Sequence, residues 1–277
     1  MRQEIERAAA ALRGADALLI TAGAGIGVDS GLPDFRGNSG FWKAYPPLER
    51  LGVSFEEMAT PDWFKRDPHL AWGFYGHRLQ LYRQTEPHAG FALLRDWATS
   101  RSRGWFIFSS NVDGQFQKAG FDPDRLVECH GSIHHLQCQL RRGIWSADDL
   151  TVEVDIETLR SATIPLCSCC QRTARPNILM FGDYGWDPTR TETQLSDYRD
   201  WLRHLSRNDR LVIVEIGAGT NIPTVRAEGE NIAIAHNATL IRINPREATG
   251  DRHTIAIQMG ARKALAAIQE VMDAGVC

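Results

Sequence analysis

A chain of 277 residues with a formal charge of −3, 43% hydrophobic and 23% charged, has the make-up of a soluble globular protein long enough for one large core and a smaller insert. The near balance of charge excludes a general attraction for nucleic acid, and no apolar run has the length of a membrane span or the form of a secretory signal. Six cysteines, three of them crowded at positions 167, 169 and 170, suit metal binding in a reducing, cytoplasmic compartment better than a secreted disulfide framework.

In chain order, residues 2 to 13 have helical composition, and the short apolar run Ala17 to Thr21 stops at Gly23-Ala24-Gly25. This reads as helix, strand and glycine turn. Residues 41 to 85, rich in aromatics and with Pro61 and Pro68 as helix starts, form a helical insert. Further strands are expected at Trp105 to Ser109, Leu211 to Ile216, Thr239 to Ile243 and Thr254 to Gln258, with a short apolar run at Arg125 to Val127. Residues 133 to 175 hold most of the cysteines and read as a second, loop-rich insert. Alternating strands and helix-length segments predict an α/β fold, a doubly wound parallel Rossmann-like sheet. The division that follows is a large domain of residues 1–40, 86–132 and 176–277, and a small domain made of the 41–85 and 133–175 inserts.

Four stretches carry candidate chemistry. Glycines after a strand let backbone approach a pyrophosphate, although Gly23 to Gly27 alone are also compatible with a plain tight turn. Gly31-Leu32-Pro33-Asp34-Phe35-Arg36-Gly37 sets an acid, an aromatic and a base in a turn that has no structural need of Phe. Ser110-Asn111-Val112-Asp113-Gly114 follows a strand at the carboxyl edge, where such sheets bind ligands, or else caps a helix. Glu128-Cys129-His130-Gly131-Ser132 places an imidazole beside a glycine, a pairing more often structural than chemical when it stands alone.

Taken together, TAGAGIGVDSGLPDFRG, SSNVDGQFQKAG, ECHGS, ARPNILMFGD, EIGAGTNIP and INPRE, in this order over residues 21 to 262, resemble the sirtuin family of NAD-dependent protein deacylases. The resemblance implies that Gly23, Ala24, Gly25, Asp34, Phe35, Arg36, Ser110, Asn111, Asp113, Gly217 and Asn244 bind NAD. It also implies that Asn111, Asp113 and His130 form the reaction centre, with His130 as general base toward a ribose hydroxyl. The acyl oxygen of a modified lysine would attack the anomeric carbon as nicotinamide leaves. Arg175 to Asp183 resembles the segment that pairs an extended acyl-lysine peptide as a strand, with Ile178, Phe181 and Gly182 in contact. Tyr75 and Arg78, three apart on one helix face, match the Tyr-x-x-Arg spacing of sirtuins that accept acidic acyl groups such as succinyl.

Several positions depart from the family pattern. Structural zinc wants four ligands, usually two CxxC pairs; Cys167 and Cys170 form one pair, but Cys138 faces Arg141 where its partner would stand. Cys169, His134 or His135 would complete a site with Cys138, Cys167 and Cys170, or packing replaces the metal. Gly27 stands for a usual Ser, Ser110 for a usual Gln, Phe116 for a usual His, and Ala218-Gly219 for the usual Thr-Ser. Deacylation of protein lysines therefore competes with two other readings on the same fold: NAD glycohydrolase or ADP-ribosyltransferase activity, and a non-catalytic NAD or ADP-ribose sensor.

Overall fold

The computed structural model describes residues 1–33, 37–140 and 143–275. The large half of the chain runs α1 (Arg2–Arg13), β1 (Ala17–Ala22), a 3-10 stretch (Ala24–Ser30), and then the helical insert of α2 (Gly37–Ala44), α3 (Pro46–Arg50), α4 (Phe55–Met58), α5 (Trp63–Arg66) and α6 (Pro68–Gln84). It continues through α7 (Ala89–Thr99), β2 (Trp105–Ser109), α8 (Gln115–Lys118), β3 (Leu126–Glu128), β4 (Gly131–Cys138), β5 (Ile144–Ser146), β6 (Val154–Asp155), β7 (Arg160–Ser161) and β8 (Ala174–Ile178). It ends on α9 (Thr189–His204), β9 (Leu211–Ile216), α10 (Thr224–His236), β10 (Thr239–Ile243), β11 (Ile255–Ile257) and α11 (Ala261–Ala274).

Six of the strands form a parallel sheet in the order β11-β10-β9-β1-β2-β3. The period of two along each strand explains why both faces are covered. Leu18 and Ile20 of β1, Ile107 of β2 and Val212, Val214 and Ile216 of β9 pack with α1, α7 and α11 on one face. The intervening Ala17, Leu19, Phe106, Phe108, Leu211 and Ile213 pack with Tyr198, Trp201 and Leu202 of α9 on the other. From β1 the chain winds outward through β2 to β3, and from β9 it winds the opposite way through β10 to β11. The strand order thus reverses between β1 and β9, which makes the carboxyl ends of those two strands the natural ligand crevice.

The 133–175 stretch holds more regular structure than its loop-rich composition suggests. β4 begins at Gly131, pairs antiparallel with β5 and β8, and shifts register between Ser132 and Leu136; β6 and β7 make a separate two-stranded ribbon. Short antiparallel strands with a bulge leave little period-two signal, which is why composition alone reads them as loop. The helices of the first insert and this small sheet close on one shared core, in which Phe41, Phe74 and Tyr75 meet Val112, Ile133 and Ile178. Pro68 opens α6 beneath an Asp67 cap, as expected of proline at a first helical position. Pro61 instead lies in the turn before α5, and Pro46 opens α3. Among the described residues no helix is long and apolar enough to cross a membrane.

Candidate active site

The crevice between β1 and β9 is built by backbone meeting backbone. Gly23 N–H donates to the Ile216 carbonyl at 3.0 Å, Gly25 N–H to the Gly217 carbonyl at 3.1 Å, and Gly217 N–H to the Ile243 carbonyl at 3.0 Å. A β-carbon at Gly25 would stand 2.7 Å from Gly217 Cα, and one at Gly217 would stand 2.3 Å from Ile26 N. Gly217 also has φ +65°, in the left-handed region. What the glycines supply here is the close approach of two loops, and the Gly23 and Gly25 N–H groups are already engaged within the chain.

A second loop, following β2, is stitched to the end of β1. Ser110 N–H donates to the Ala22 carbonyl at 3.1 Å, and the Asn111 amide nitrogen to the Gly23 carbonyl at 3.2 Å, while Ser109 Oγ accepts from Asn111 N–H at 3.1 Å. Asn244, after β10, is buried. Its amide nitrogen donates to the Ala218 carbonyl at 2.9 Å, and its oxygen accepts from the N–H groups of Arg246 and Glu247 at 3.0 Å each. It therefore shapes the loop that would face an adenosine rather than presenting an open carboxamide.

Asp113 is buried, and its Oδ1 accepts from Gln115 N–H at 2.9 Å. Burial, with the Glu128 charge adding to it, pushes this carboxyl up to about 6; the Gln115 N–H and the Arg78 cation pull the other way. His130 follows β3, and burial lowers its imidazole below the ordinary value, opposed by the Ser110 carbonyl beside the ring. In the tautomer that donates to Ser110, the opposite nitrogen of the neutral ring carries the lone pair. Glu128 itself is buried and ion-paired with Arg190. The sequence-predicted Asp34, Phe35 and Arg36 lie outside the described residues.

In the helical insert Tyr75 and Arg78 are both buried. The Arg78 guanidinium lies 5.2 Å from the Phe74 ring centre and 5.8 Å from that of Tyr75. Burial pushes the Tyr75 phenol up to about 12, so it is a donor at neutral pH, and its hydroxyl has no hydrogen-bond partner. Sequence reasoning passed over Tyr82, whose hydroxyl accepts from Arg78 Nε at 3.0 Å and Nη2 at 2.6 Å. Its spacing of four from Arg78 was the available signal. Gln115 was also passed over; its side-chain nitrogen donates to the carbonyls of Tyr82 and Thr85 at 3.2 Å each and straps the end of α6 to the Asp113 loop.

The segment expected to pair a peptide as a strand is regular only over β8, at the edge of the small sheet. Ile178 is buried at its end, whereas Phe181 and Gly182 sit in the following loop, with Phe181 40% exposed. That loop is anchored where Leu179 N–H donates to the His130 carbonyl at 2.9 Å and Phe181 N–H to the Ala59 carbonyl at 2.9 Å.

The Cys138, Cys167 and Cys170 sulfurs lie within 4.8 Å of one another, with Cys138 and Cys170 3.6 Å apart. Two thiolates on one tetrahedral zinc stand about 3.8 Å apart, given Zn–S bonds of about 2.3 Å, so the three residues fit that ion. The Cys169 and Cys170 N–H groups pull the Cys167 thiol down to about 7, which favours the thiolate a metal needs. The expected fourth ligand is not found: among the described residues none joins the cluster. Cys169 is exposed. His134 Nε2 lies 3.0 Å from the Asp113 carbonyl, and His135 stands among Arg190, Glu128 and Asp148. Both histidines sit on β4 well before Cys138, facing other business.

The model of the Sir2 family matches residues 23–209. An NAD-dependent protein deacylase of Aquifex aeolicus is 30% identical over 230 residues, covering 81% of this chain and 82% of that protein. Another from Thermococcus kodakarensis is 34% identical over 167 residues, and the match spans 58% of the length of each. Among solved structures, a Sir2 homolog–NAD complex superposes with a TM-score of 0.73 at 22% identity, covering 97% of this chain and 94% of that one. The glycine-knit crevice, the Asn111 and Asp113 loop and the His130 turn thus sit on a shared architecture, and the chain belongs to the Sir2 family.

Proposed function

We propose that this chain is an NAD-dependent protein-lysine deacylase that yields nicotinamide, O-acyl-ADP-ribose and free lysine. The observation that carries the reading is the meeting of Asn111 and His130 on the loops that follow β1 and β2: the Asn111 amide is tied to the Gly23 carbonyl, and the His130 ring stands against Ser110. The interlocked Gly23, Gly25 and Gly217 bring the loops after β1 and β9 together at the strand-order reversal, the crevice where such sheets bind a dinucleotide. When bound there, NAD supplies an ADP-ribosyl group with nicotinamide as its leaving group. Gly23, Ala24, Gly25, Ser110, Asn111, Asp113, Gly217 and, through its loop, Asn244 would hold it, and the family resemblance adds Asp34, Phe35 and Arg36, which lie outside the described residues. On the same reading residues 1–40, 86–132 and 176–277 make the NAD-binding domain, and the two inserts make the small one.

His130, neutral at working pH and oriented by Ser110, accepts a proton at its lone-pair nitrogen. Asp113, on the Ser110 loop, remains mostly ionised above its raised value and orients polar groups of the ligand through the carboxylate oxygen that does not accept from Gln115. Ile178 and the Phe181-Gly182 loop receive the peptide backbone beside β8. Tyr75 and Arg78 receive an acidic acyl group, the one as O–H donor and the other as cation. Zinc on the three cysteines would serve folding of the small sheet.

Incubation with NAD and acetyl- or succinyl-lysine peptides tests the proposal. Nicotinamide release that depends on peptide supports deacylation. Release without peptide would assign an NAD glycohydrolase, and no release would assign a sensor.

A further inference from the structure

We propose that Tyr82 is the positioning residue for acyl specificity: its hydroxyl holds the Arg78 guanidinium in the one orientation from which it can receive an acidic acyl chain. The proposal rests on the reading of Tyr75 and Arg78 as the acyl-contacting pair. It adds a residue that touches neither the acyl group nor the cofactor site.

The geometry is specific. Arg78 Nε and Nη2 are the two donors on one edge of the planar guanidinium, and both converge on the single oxygen of Tyr82, at 3.0 and 2.6 Å. A fork closed on one atom fixes both the position and the rotation of the plane, which a single hydrogen bond would leave free. The Tyr82 ring centre lies 5.3 Å from the guanidinium carbon, and the Phe74 and Tyr75 rings stand at 5.2 and 5.8 Å. The cation is therefore enclosed by three aromatic rings as well as clamped by one hydroxyl. Burial holds the Tyr82 phenol above its ordinary value, so the clamp is a neutral acceptor at every pH at which the enzyme would work and adds no charge of its own.

Tyr82 is itself immobilised from the other side. Its main-chain carbonyl accepts from the Gln115 side chain at 3.2 Å, and Gln115 N–H is the group that bonds Asp113 at 2.9 Å. The residue that aims Arg78 is thus referenced to the same segment that carries Asp113. The buried Tyr75 hydroxyl, which has no partner, is the independent sign of a ligand. A phenol nine-tenths buried and unsatisfied costs free energy unless something supplied from outside accepts its proton, and a carboxylate is the acceptor that Arg78 would bring to it.

Tyr82→Phe keeps the ring and its stacking and removes only the hydroxyl. The test is steady-state kinetics of the full chain with succinyl- and acetyl-lysine peptides for the wild type, Tyr82→Phe, Arg78→Met and the double variant, together with the protected Nε–H signal of Arg78 by NMR. The expected result is a rise in KM for the succinyl peptide of about tenfold in Tyr82→Phe with kcat held. Acetyl kinetics should not move, the Arg78 Nε–H should lose protection, and Tyr82→Phe should have no further effect on succinyl kinetics once Arg78 is Met. A packing role would move both substrates together and overturns the proposal. So does a succinyl KM that responds to Arg78→Met but not to Tyr82→Phe. If the wild type does not turn over succinyl peptide and Arg78→Met changes nothing, the acyl-pocket reading itself is what fails, and the proposal falls with it.

Discussion

Arg175 and Asp183 form a buried two-pronged ion pair, with Nη1 to Oδ2 at 2.7 Å and Nη2 to Oδ1 at 2.9 Å and side-chain exposures of 3% and 0%. The pair bolts β8 to the far end of the loop that carries Phe181 and Gly182. Met180 N–H donates to the same carboxylate at 3.3 Å. Since the next anchor of the loop is the His130 carbonyl, the peptide-facing segment and the proposed base are held in a single frame.

Asp183→Asn keeps the shape and removes the charge, leaving Arg175 as an uncompensated buried cation. Breaking one side of such a pair costs about 3–5 kcal/mol when both partners are enclosed. Chemical denaturation is expected to show a loss of that order, and the peptide KM to rise more than the KM for NAD. A peptide KM that stays put would show that the 179–182 loop does not hold the peptide.

At Gly217 the constraint is steric. Alanine there meets Ile26 N at 2.3 Å, and the rigid partner is backbone that cannot swing aside, while φ +65° adds strain of about 1–3 kcal/mol. Gly217→Ala is expected to weaken NAD binding by at least about tenfold, since the loop after β9 must move away from Gly25. Calorimetric titration with NAD checks it, and unchanged affinity would separate this glycine contact from the cofactor site.

Much of the large sheet was legible because β1, β2, β9 and β10 are mainly apolar runs, interrupted by Glu215 in β9 and Arg242 in β10, that end in Gly, Asn or Ser, the mark of a strand buried on both faces. The Asn111, Asp113 and His130 cluster was legible for a related reason: polar residues just past such strands have few structural uses. The small sheet was not, because β4 is interrupted by the bulge between Ser132 and Leu136 and its neighbours β5 and β8 are only 3 and 5 residues long. His134 and His135 looked like ligand candidates by distance along the chain, but His134 is engaged by the Asp113 carbonyl and His135 lies near Arg190, beside the register shift in β4. Tyr82 was hidden because an aromatic at helical spacing reads as core, and only the Arg78 hydrogen bonds reveal its second use.

For the cysteines, protein prepared without chelator is expected to carry about one zinc per chain by elemental analysis. Serine at Cys138, Cys167 or Cys170 should each lower both that content and the melting temperature, because structural zinc contributes folding free energy. Serine at the exposed Cys169 should leave both unchanged. Zinc retained after loss of Cys138 would move the site elsewhere.

The pH dependence turns on Asp113 and His130 together. Asp113 titrates near 6 in the folded chain against an ordinary carboxyl value of 3.8, so the folded state binds its proton more tightly than the unfolded one. The contribution to stability is therefore intact below about 4 and is lost as pH rises through about 6, a difference of about 3 kcal/mol at 1.36 kcal/mol per unit. Asp113→Asn cannot ionise; its stability between pH 4 and 7 should lack that slope, and at pH 7 it should be the more stable protein. Activity runs in the opposite sense. His130 is held below the usual imidazole value, so the neutral base persists to slightly acid pH, and Asp113 gains its proton over the same range. The succinyl- or acetyl-peptide kcat/KM of the wild type is then expected to fall on an acid limb near pH 6 that is steeper than a single ionisation gives. His130→Ala should abolish peptide-dependent turnover while leaving NAD affinity within a few fold, since the base acts after binding. Residual activity above about a tenth of wild type would take His130 out of that role. An acid limb unchanged in Asp113→Asn would leave His130 as the group that sets it.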